Sequence, residues 1–190
     1  MSNDFLFEST HNALRFAFTY SLHEKIGSPI GNLLPSAGAG NGLCGVDGAA
    51  QAGMIRVELS RLTGCGELVL IARVAPMSIP CDCGVACCSK RKPNEEWRQA
   101  VDALSVQMIR VLSGNVTNYR LRRGCVEKFF GRSVKLVQLA DHCGVHRDTA
   151  SAHNAKIAAA LKKDESRAWA EIYQRLKAAG LIGVGNVCVC

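Results

Sequence analysis

The residues best suited to chemistry are ten cysteines, four of which fall within eight positions. The four are Cys81, Cys83, Cys87 and Cys88. Thiolates in a reducing compartment bind zinc tetrahedrally, but adjacent Cys87 and Cys88 cannot easily point at one ion. The expected zinc ligands are therefore three of these four cysteines together with a distant ligand such as Cys44, Cys65 or a histidine. The cluster predicts a zinc site, and free thiols or a redox pair are the alternatives.

Catalytic and nucleotide-binding arrangements find little support among the other residues. A nucleophilic cysteine needs a positioned base, and the sequence identifies none. His142 and His146 have the spacing of a helical metal pair, but Gly144 interrupts the helix and no glutamate follows His142. The glycines from Gly38 to Gly45 follow no strand and precede no Gly-Lys-Ser/Thr, which favours a linker. We predict a protein without enzymatic activity, and a thiol- or metal-dependent enzyme is the last-ranked alternative.

Residues 136–161 have the pattern of two helices joined by a tight turn. Leu139 is expected to bury the first helix, and the small Ala140 allows a close crossing. Gly144 suits the positive φ of the turn. The inward face is continued by Val145, Ala150 and Ile157. The pattern predicts a helix-turn-helix, and the alternative is a helical hairpin that packs without touching nucleic acid.

The second helix of a helix-turn-helix lies in the major groove of DNA and presents its N-terminal side chains to base edges. The predicted base contacts are Arg147, Asp148, Ser151 and Asn154. Arg147 is the leading candidate, because arginine pairs bidentately with guanine. His146 replaces the Ser or Thr that usually caps the second helix, and His153 stands where an aliphatic residue is common.

Basic charge is concentrated in the half of the chain that contains this pattern. Residues 1–84 carry 5 Lys/Arg and 7 Asp/Glu, whereas residues 85–190 carry 18 and 9. Such an excess attracts polyanions by releasing their counterions. The predicted phosphate contacts are Arg120, Arg122, Arg123, Lys128, Arg132, Lys135, Thr149 and Lys156. A solvated basic helix face is the alternative for the arginines and lysines that precede the turn.

Helical periodicity predicts the elements that position these residues. The predicted helices span 11–25, 49–62, 67–74, 95–112 and 118–130, the two helices of 136–161, and a last one from Asp164 or Ser166 to Ala179. Thr10 is the expected cap of the first helix. Met54 and Val57 are expected on the inward face of the second, after a mobile loop over 27–48.

The predicted fold class is all-α, a helical bundle with a C-terminal helix-turn-helix and a cysteine-rich loop. The predicted regions are an N-terminal helical region with a Gly-rich loop (1–80), the cysteine-rich loop (81–94), a basic helical domain (95–180) and a flexible tail (181–190). No run approaches the roughly 18 apolar residues of a membrane span, and the first residues lack a signal-peptide layout. We expect a cytoplasmic protein without a membrane partner.

The segment Asn-Tyr-Arg-Leu-Arg-Arg-Gly-Cys-Val-Glu-Lys-Phe-Phe-Gly, residues 118–131, precedes the helix-turn-helix pattern. Together they resemble the C-terminal DNA-binding region of phage and prophage regulators. With the cysteine cluster included, residues 81–180 resemble lambdoid late-gene antiterminators in organisation. The resemblance implies DNA contacts by Arg147 and its neighbours, a structural zinc site in the cysteine loop, and loading onto paused RNA polymerase.

These observations predict a sequence-specific transcription regulator that binds double-stranded DNA. The resemblance implies that it is phage-encoded and acts as a late-gene antiterminator, and the sequence leaves activation and repression open as other modes of regulation. The alternative is a DNA-packaging or recombination adaptor of the small-terminase type, which would use the same helices for docking and assemble into a ring. The sequence leaves the oligomeric state open.

Overall fold

The computed structural model describes residues 6–26, 45–81, 83–84, 89–112 and 118–183, and for 21–26 and 45 it describes the backbone alone. These residues are mostly helical, which confirms the predicted all-α class apart from one two-stranded ribbon. The helices are α1 Thr10–Ile26, α2 Gly45–Ser60, α3 Gly66–Val74, α4 Glu95–Gln107, α5 Tyr119–Phe129, α6 Leu136–Cys143 and α7 Arg147–Ala178. A 3-10 turn, Met108–Arg110, follows α4, and the ribbon consists of strands β1 Ser78–Pro80 and β2 Arg91–Pro93.

Asparagine side chains fix the starts of α4 and α5. Asn94 Oδ1 accepts a hydrogen bond from the Glu96 N–H at 3.1 Å, and Asn118 Oδ1 accepts one from the Leu121 N–H at 3.1 Å. These bonds satisfy N–H groups that have no partner inside a helix. Both helices therefore begin close to the predicted positions.

Helix α1 is confirmed over its whole predicted length, but with a different cap. Ser9 Oγ, rather than Thr10, accepts the hydrogen bond from the Asn12 N–H at 3.1 Å. Phe16 and Phe18 are both buried. Because each residue of a helix is rotated by about 100° from the one before, these two positions point to nearly opposite sides, so α1 is buried on more than one side.

Helix α2 differs from the prediction in its start and in its inward face. It begins at Gly45, inside the segment predicted as a loop, and residues 27–44 of that segment lie outside the described residues. Met54 and Val57, predicted to point inward, are 45% and 48% exposed. The buried apolar residues of α2 are Ala52, Ile55 and Leu59. The sequence offers two apolar stripes on this helix, and packing against α1 selects the other one.

The antiparallel ribbon was not predicted from the sequence. Its register pairs Ser78 with Pro93, Ile79 with Lys92 and Pro80 with Arg91. The Cys81 N–H extends the pairing to the Lys90 carbonyl at 2.9 Å. Both strands are edges, where proline is tolerated although it removes a hydrogen-bond donor. A strand of three residues is too short to show a period of two.

Helix α7 runs unbroken over 32 residues, a length of about 48 Å. The prediction of a separate last helix from Asp164 or Ser166 is therefore wrong. Ser166 Oγ donates to the Lys162 carbonyl at 3.0 Å, and Asp164 pairs with Arg167 at 3.1 Å. Residues that favour helix caps do not end a helix when their side chains find partners within it.

A continuous core joins the helices on the two sides of the cysteine-rich loop. Helices α1, α2, α3, α5 and α6 all pack against α7, and α3 also packs against α4. The Trp97 indole N–H donates to the Ala72 carbonyl at 3.0 Å, which ties α4 to α3. Helix α7 is therefore the central helix of the described structure, against which most of the others pack.

The two ends of the described chain meet. The Phe7 N–H donates to the Leu181 carbonyl at 3.3 Å, and Phe7 forms a parallel bridge with Ile182. Leu181 and Ile182, at the start of the segment predicted as a flexible tail, are both buried. Residues 184–190 of that segment lie outside the described residues. None of the described helices is both long and apolar enough to cross a lipid bilayer.

Candidate nucleic-acid interface

Helices α6 and α7 are joined by the three residues Gly144, Val145 and His146. Gly144 has a φ of 63°, the left-handed conformation that the sequence predicts there. His146 is the cap residue of α7, and its Nδ1 accepts a long hydrogen bond of 3.4 Å from the Asp148 N–H. The imidazole therefore takes the place of the serine or threonine hydroxyl expected at this position.

Small residues let α5, α6 and α7 approach one another closely. Ala140 of α6 is fully buried, as its spacing predicts. Gly124 of α5 faces Leu139 of α6 so closely that a Cβ at Gly124 would lie 2.4 Å from Leu139 Cδ2. Asn118 Nδ2 donates to the Cys143 carbonyl at 3.2 Å and ties the start of α5 to the end of α6. These contacts fix the position of α6, which leads into α7.

The first turns of α7 bury one face and expose the other. Ala150 and Ile157 are fully buried, as predicted. The exposed residues are Arg147, Asp148, Thr149, Ser151, Ala152, Ala155 and Lys156, and Asn154 is half-buried. The four predicted base contacts thus lie on adjoining positions of the same outer face, because residues three and four apart are neighbours on a helix. The alanines beside them allow another surface to approach the helix backbone.

Arg147 stands at the start of this face with its guanidinium exposed. It makes no hydrogen bond or ion pair within the part of the chain that the structure describes. Asp148 is also exposed, and one carboxylate oxygen lies 3.5 Å from His146 Nδ1. Two opposite charges therefore stand side by side at the N-terminus of α7.

His153 lies at the edge of the buried face of α7. Its Nδ1 is enclosed and makes no hydrogen bond within the described residues. Burial lowers the pKa of the imidazole, and the positive charge of Lys156 lowers it further. Both effects favour the neutral imidazole, and His153 packs where the sequence pattern expects an aliphatic residue.

Arg122 was predicted to contact phosphates, which requires an exposed side chain. It does not lie on the outer face of α5, so this prediction is wrong. The residue is only 5% exposed, and its Nε donates to the Ser105 carbonyl at 3.0 Å. Ser105 belongs to the last turn of α4, where helix carbonyls lack partners within the helix. Arg122 therefore satisfies the end of α4, which removes it from the set of candidate phosphate contacts.

The other predicted phosphate contacts fall into two groups. Arg123 pairs with Asp102 at 2.7 Å, and Arg132 pairs with Glu127 at 2.7 Å, so acidic neighbours offset their charges. The second group is exposed and forms no ion pair within the described residues: Arg120, Lys128, Lys135, Thr149 and Lys156. The Lys128 ammonium reaches the Val134 carbonyl at 3.5 Å, in the loop between α5 and α6. Lys128 and Lys135 therefore bring positive charge to the start of α6.

The cysteine-rich loop is only partly described. Cys81 is half-buried and Cys83 is exposed, while Cys87, Cys88 and the candidate distant ligand Cys44 lie outside the described residues. Within the described ranges, no three Cys, His, Asp or Glu side chains are grouped as metal ligands. The zinc site remains a prediction.

The structure also contains an open cleft of about 600 Å³ that the sequence did not predict. Its lining residues are Gly64, Cys65, Gln107, Arg110, Asp164 and Arg167. The Cys65 thiol donates to Asp164 Oδ2 at 3.2 Å, and burial together with this carboxylate raises its pKa to about 11. A thiol that stays protonated is a poor nucleophile and a poor metal ligand.

No family model, curated protein or solved structure matches this chain. The surface that stands out is the outer face of α7, from Arg147 to Lys156, together with the lysines that flank α6.

Proposed function

We propose that this protein is a sequence-specific DNA-binding transcription regulator whose helix-turn-helix is formed by α6 and α7. The observation that carries the proposal is the exposed N-terminal face of α7, whose opposite face is packed against α5 and α6. An α-helix with its side chains is about 10–12 Å wide, and the major groove of B-DNA is about 12 Å wide. The short side chains of Ser151, Ala152 and Ala155 favour such an insertion.

Three polar residues on this face would read bases. Arg147 pairs bidentately with guanine O6 and N7, and Asn154 pairs with adenine N6 and N7. Asp148 accepts a hydrogen bond from cytosine N4. Arg147 is the principal reader, because its guanidinium is exposed at the helix N-terminus and has no partner within the described residues.

Lysines near α6 would hold the phosphate backbone. Lys128 and Lys135 lie at the end of α5 and at the start of α6, and both are exposed. Such contacts give affinity and register without reading sequence. Arg122 has a different role, since it positions α5 against α4 rather than touching DNA.

The resemblance to lambdoid late-gene antiterminators supports a role on phage promoters, with RNA polymerase as a second partner. It also supports zinc in the cysteine-rich loop, with Cys81 and Cys83 among the ligands. Metal analysis of the purified protein and of Cys81→Ser tests the metal. Co-purification with RNA polymerase on a bound DNA site tests the second partner.

Selection from a random double-stranded DNA library tests sequence-specific binding directly. Wild type and Arg147→Ala are compared at the same salt concentration, since affinity for DNA depends on salt. The matched control is Arg167→Ala, an exposed arginine on the same helix about 30 Å further along. We expect one enriched sequence for wild type and for the control. Arg147→Ala should lose about 1–3 kcal/mol at that sequence, or about 5- to 150-fold, and relax its preference.

Two results would contradict the proposal. Equal weakening on every sequence by Arg147→Ala would show that this arginine binds phosphate rather than a base. Failure of wild type to enrich any sequence would favour an adaptor, an RNA-binding protein or a helical domain that binds no nucleic acid.

A further inference from the structure

Helix α2 is apolar on both sides, although only one side packs against the core. The buried side contacts α1 and α7. On the opposite side, four exposed apolar residues follow one another at spacings of three and four positions, so they form one row along the helix. This row, called the outer stripe below, consists of Val46, Ala50, Met54 and Val57. It is about 16 Å long.

The outer stripe is free of charge over about three helical turns. Every exposed side chain between Asp47 and Arg61 is uncharged, in a stretch that the structure describes without a gap. Arg56 and Glu58 lie between them in the chain but pair with residues of other helices, Glu96 and Arg175. The exposed side of α7, in contrast, carries Lys156, Lys162, Lys163 and Arg167. A helix that is apolar on both sides is normally covered on both, so the outer stripe has the character of an interaction surface.

The two ends of the outer stripe carry opposite charges. Asp47, in the first turn of α2, is exposed and makes no ion pair within the described residues. Arg61, directly after the last turn, is 59% exposed and pairs with Glu58 of its own helix. Met54 stands seven positions from each, and positions seven apart lie on nearly the same side of a helix. Asp47, Met54 and Arg61 therefore lie on one line along α2.

This arrangement is complementary to a second copy of itself. When two copies of α2 pack antiparallel about a two-fold axis at Met54, each Asp47 lies beside the Arg61 of the other copy. A parallel pair would instead bring Asp47 next to Asp47 and place the helix dipoles side by side in the same direction. The small Ala50 lets a second helix approach the backbone closely. The charges therefore favour an antiparallel pair.

The outer stripe is separate from the proposed base-reading face. The C-terminal end of α2 is held against the far part of α7, because Arg175 pairs with Glu58 at 3.6 Å and Glu171 accepts a hydrogen bond from the Thr63 N–H at 3.2 Å. Arg175 lies about 42 Å along α7 from Arg147, whereas α2 is about 24 Å long. Helix α2 thus ends short of the first turn of α7. A partner on the stripe and a duplex on α7 do not compete for the same residues.

We propose that the outer stripe of α2 is the interface of a symmetric homodimer in which two copies of α2 pack antiparallel. This inference goes beyond the proposed function and does not depend on DNA binding. The paired face is about 24 Å by 10 Å, which is small beside the roughly 800 Å² per partner of a standard interface. We therefore expect a weak, reversible dimer with a Kd of about 1–100 µM.

Sedimentation velocity of the full-length protein, over concentrations that span this range, measures the association. A reducing agent is present so that none of the ten cysteines can link two copies. Val57→Lys places an ammonium group inside the interface, and the matched control Val106→Lys makes the same change at a valine of α4 that is 59% exposed. Thermal unfolding checks that each variant folds. Wild type and the control should dimerise alike, and Val57→Lys should weaken the dimer by at least about 10-fold.

Charge reversal tests the antiparallel arrangement. Asp47→Arg and Arg61→Asp each create like charges at both ends of the dimer, so each should weaken it by about 2- to 30-fold. The double variant restores opposite charges and should recover most of the loss. Single variants that match wild type, or a double variant that recovers nothing, overturn the antiparallel pairing. A wild type that stays monomeric at every concentration, as it would if another protein covers the stripe, overturns the dimer, and so does a Val57→Lys variant that associates like wild type.

Discussion

Substitution of Gly124 by alanine tests the packing that places α6, and with it the start of α7. In a helix without steric conflict, Gly→Ala stabilises by about 1 kcal/mol. At Gly124 the new Cβ would lie 2.4 Å from Leu139 Cδ2 and 2.9 Å from Leu139 Cδ1, whereas carbon atoms in contact normally stand about 3.5–4.0 Å apart. Leu139 must therefore move by about an ångström or more, or α5 and α6 must separate.

Overpacking of this kind costs about 1–3 kcal/mol. The cost exceeds or cancels the gain in helix propensity, so Gly124→Ala should destabilise the protein by about 0–2 kcal/mol. The matched control is Gly53→Ala in α2, where a Cβ meets nothing within 4 Å. That change should stabilise by about 0.5–1 kcal/mol. The two variants should therefore differ in stability by about 0.5–3 kcal/mol, with Gly53→Ala the more stable of the two.

Urea unfolding followed by circular dichroism measures both changes. Leu139→Ala identifies the contact, because Gly124→Ala should become stabilising once the leucine is removed. The resulting coupling free energy in the double-mutant cycle should be about 1–3 kcal/mol. Equal stabilisation by both alanines, with no coupling to Leu139, would refute the close packing of α5 on α6.

Three further outcomes are expected. Arg122→Met should lower the free energy of unfolding by about 1–3 kcal/mol, because the Ser105 carbonyl loses a charged hydrogen-bond donor. An unchanged melting temperature together with uniformly weaker DNA binding would contradict this buried role. Wild type should lose stability between pH 9.0 and about 11, because the raised pKa keeps the thiol of Cys65 protonated in the folded state while it ionises in the unfolded state. Cys65→Ala should reduce this loss in urea titrations. An unchanged dependence of stability on pH in this range would contradict the prediction. Wild type should lose stability as pH falls below 6.5, because the lowered pKa of His153 in the folded state means that the unfolded imidazole binds the proton at a higher pH. His153→Leu should reduce this loss. An unchanged dependence of stability on acid pH would argue against the enclosure of the imidazole.

Local patterns in the sequence predicted what local sterics decide. Gly144 adopts the positive φ that its place between two apolar patterns indicates, and Ala140 is buried where two helices approach. The period of α4 is equally plain in the sequence, since Trp97, Val101 and Leu104 recur at helical spacing and all three are buried. In these places the helix period and the size of one side chain are sufficient.

Long-range contacts decided the features that the sequence did not reveal. The sequence indicates an exposed basic residue at Arg122, because the carbonyl at the end of α4 to which it donates is 17 positions away in the chain. Cys65 meets Asp164 across 99 positions, so neither residue signals the cleft between them. The continuity of α7 depends on hydrogen bonds and packing along its length rather than on a cap signal at Ser166.

The position of Arg73 bears on how firmly the helices that carry the proposed DNA contacts are held together. Its guanidinium meets the aromatic rings at the end of α5 and the carboxylate of Glu165 on α7, and its own helix leads directly into the ribbon. Since α7 is unbroken, the residues proposed to read bases and those proposed to bind phosphates belong to one packed body. Binding to DNA then requires little ordering of one element against the other, and a smaller entropy loss leaves more of the contact energy as affinity. An element attached through a loose linker would lack this advantage.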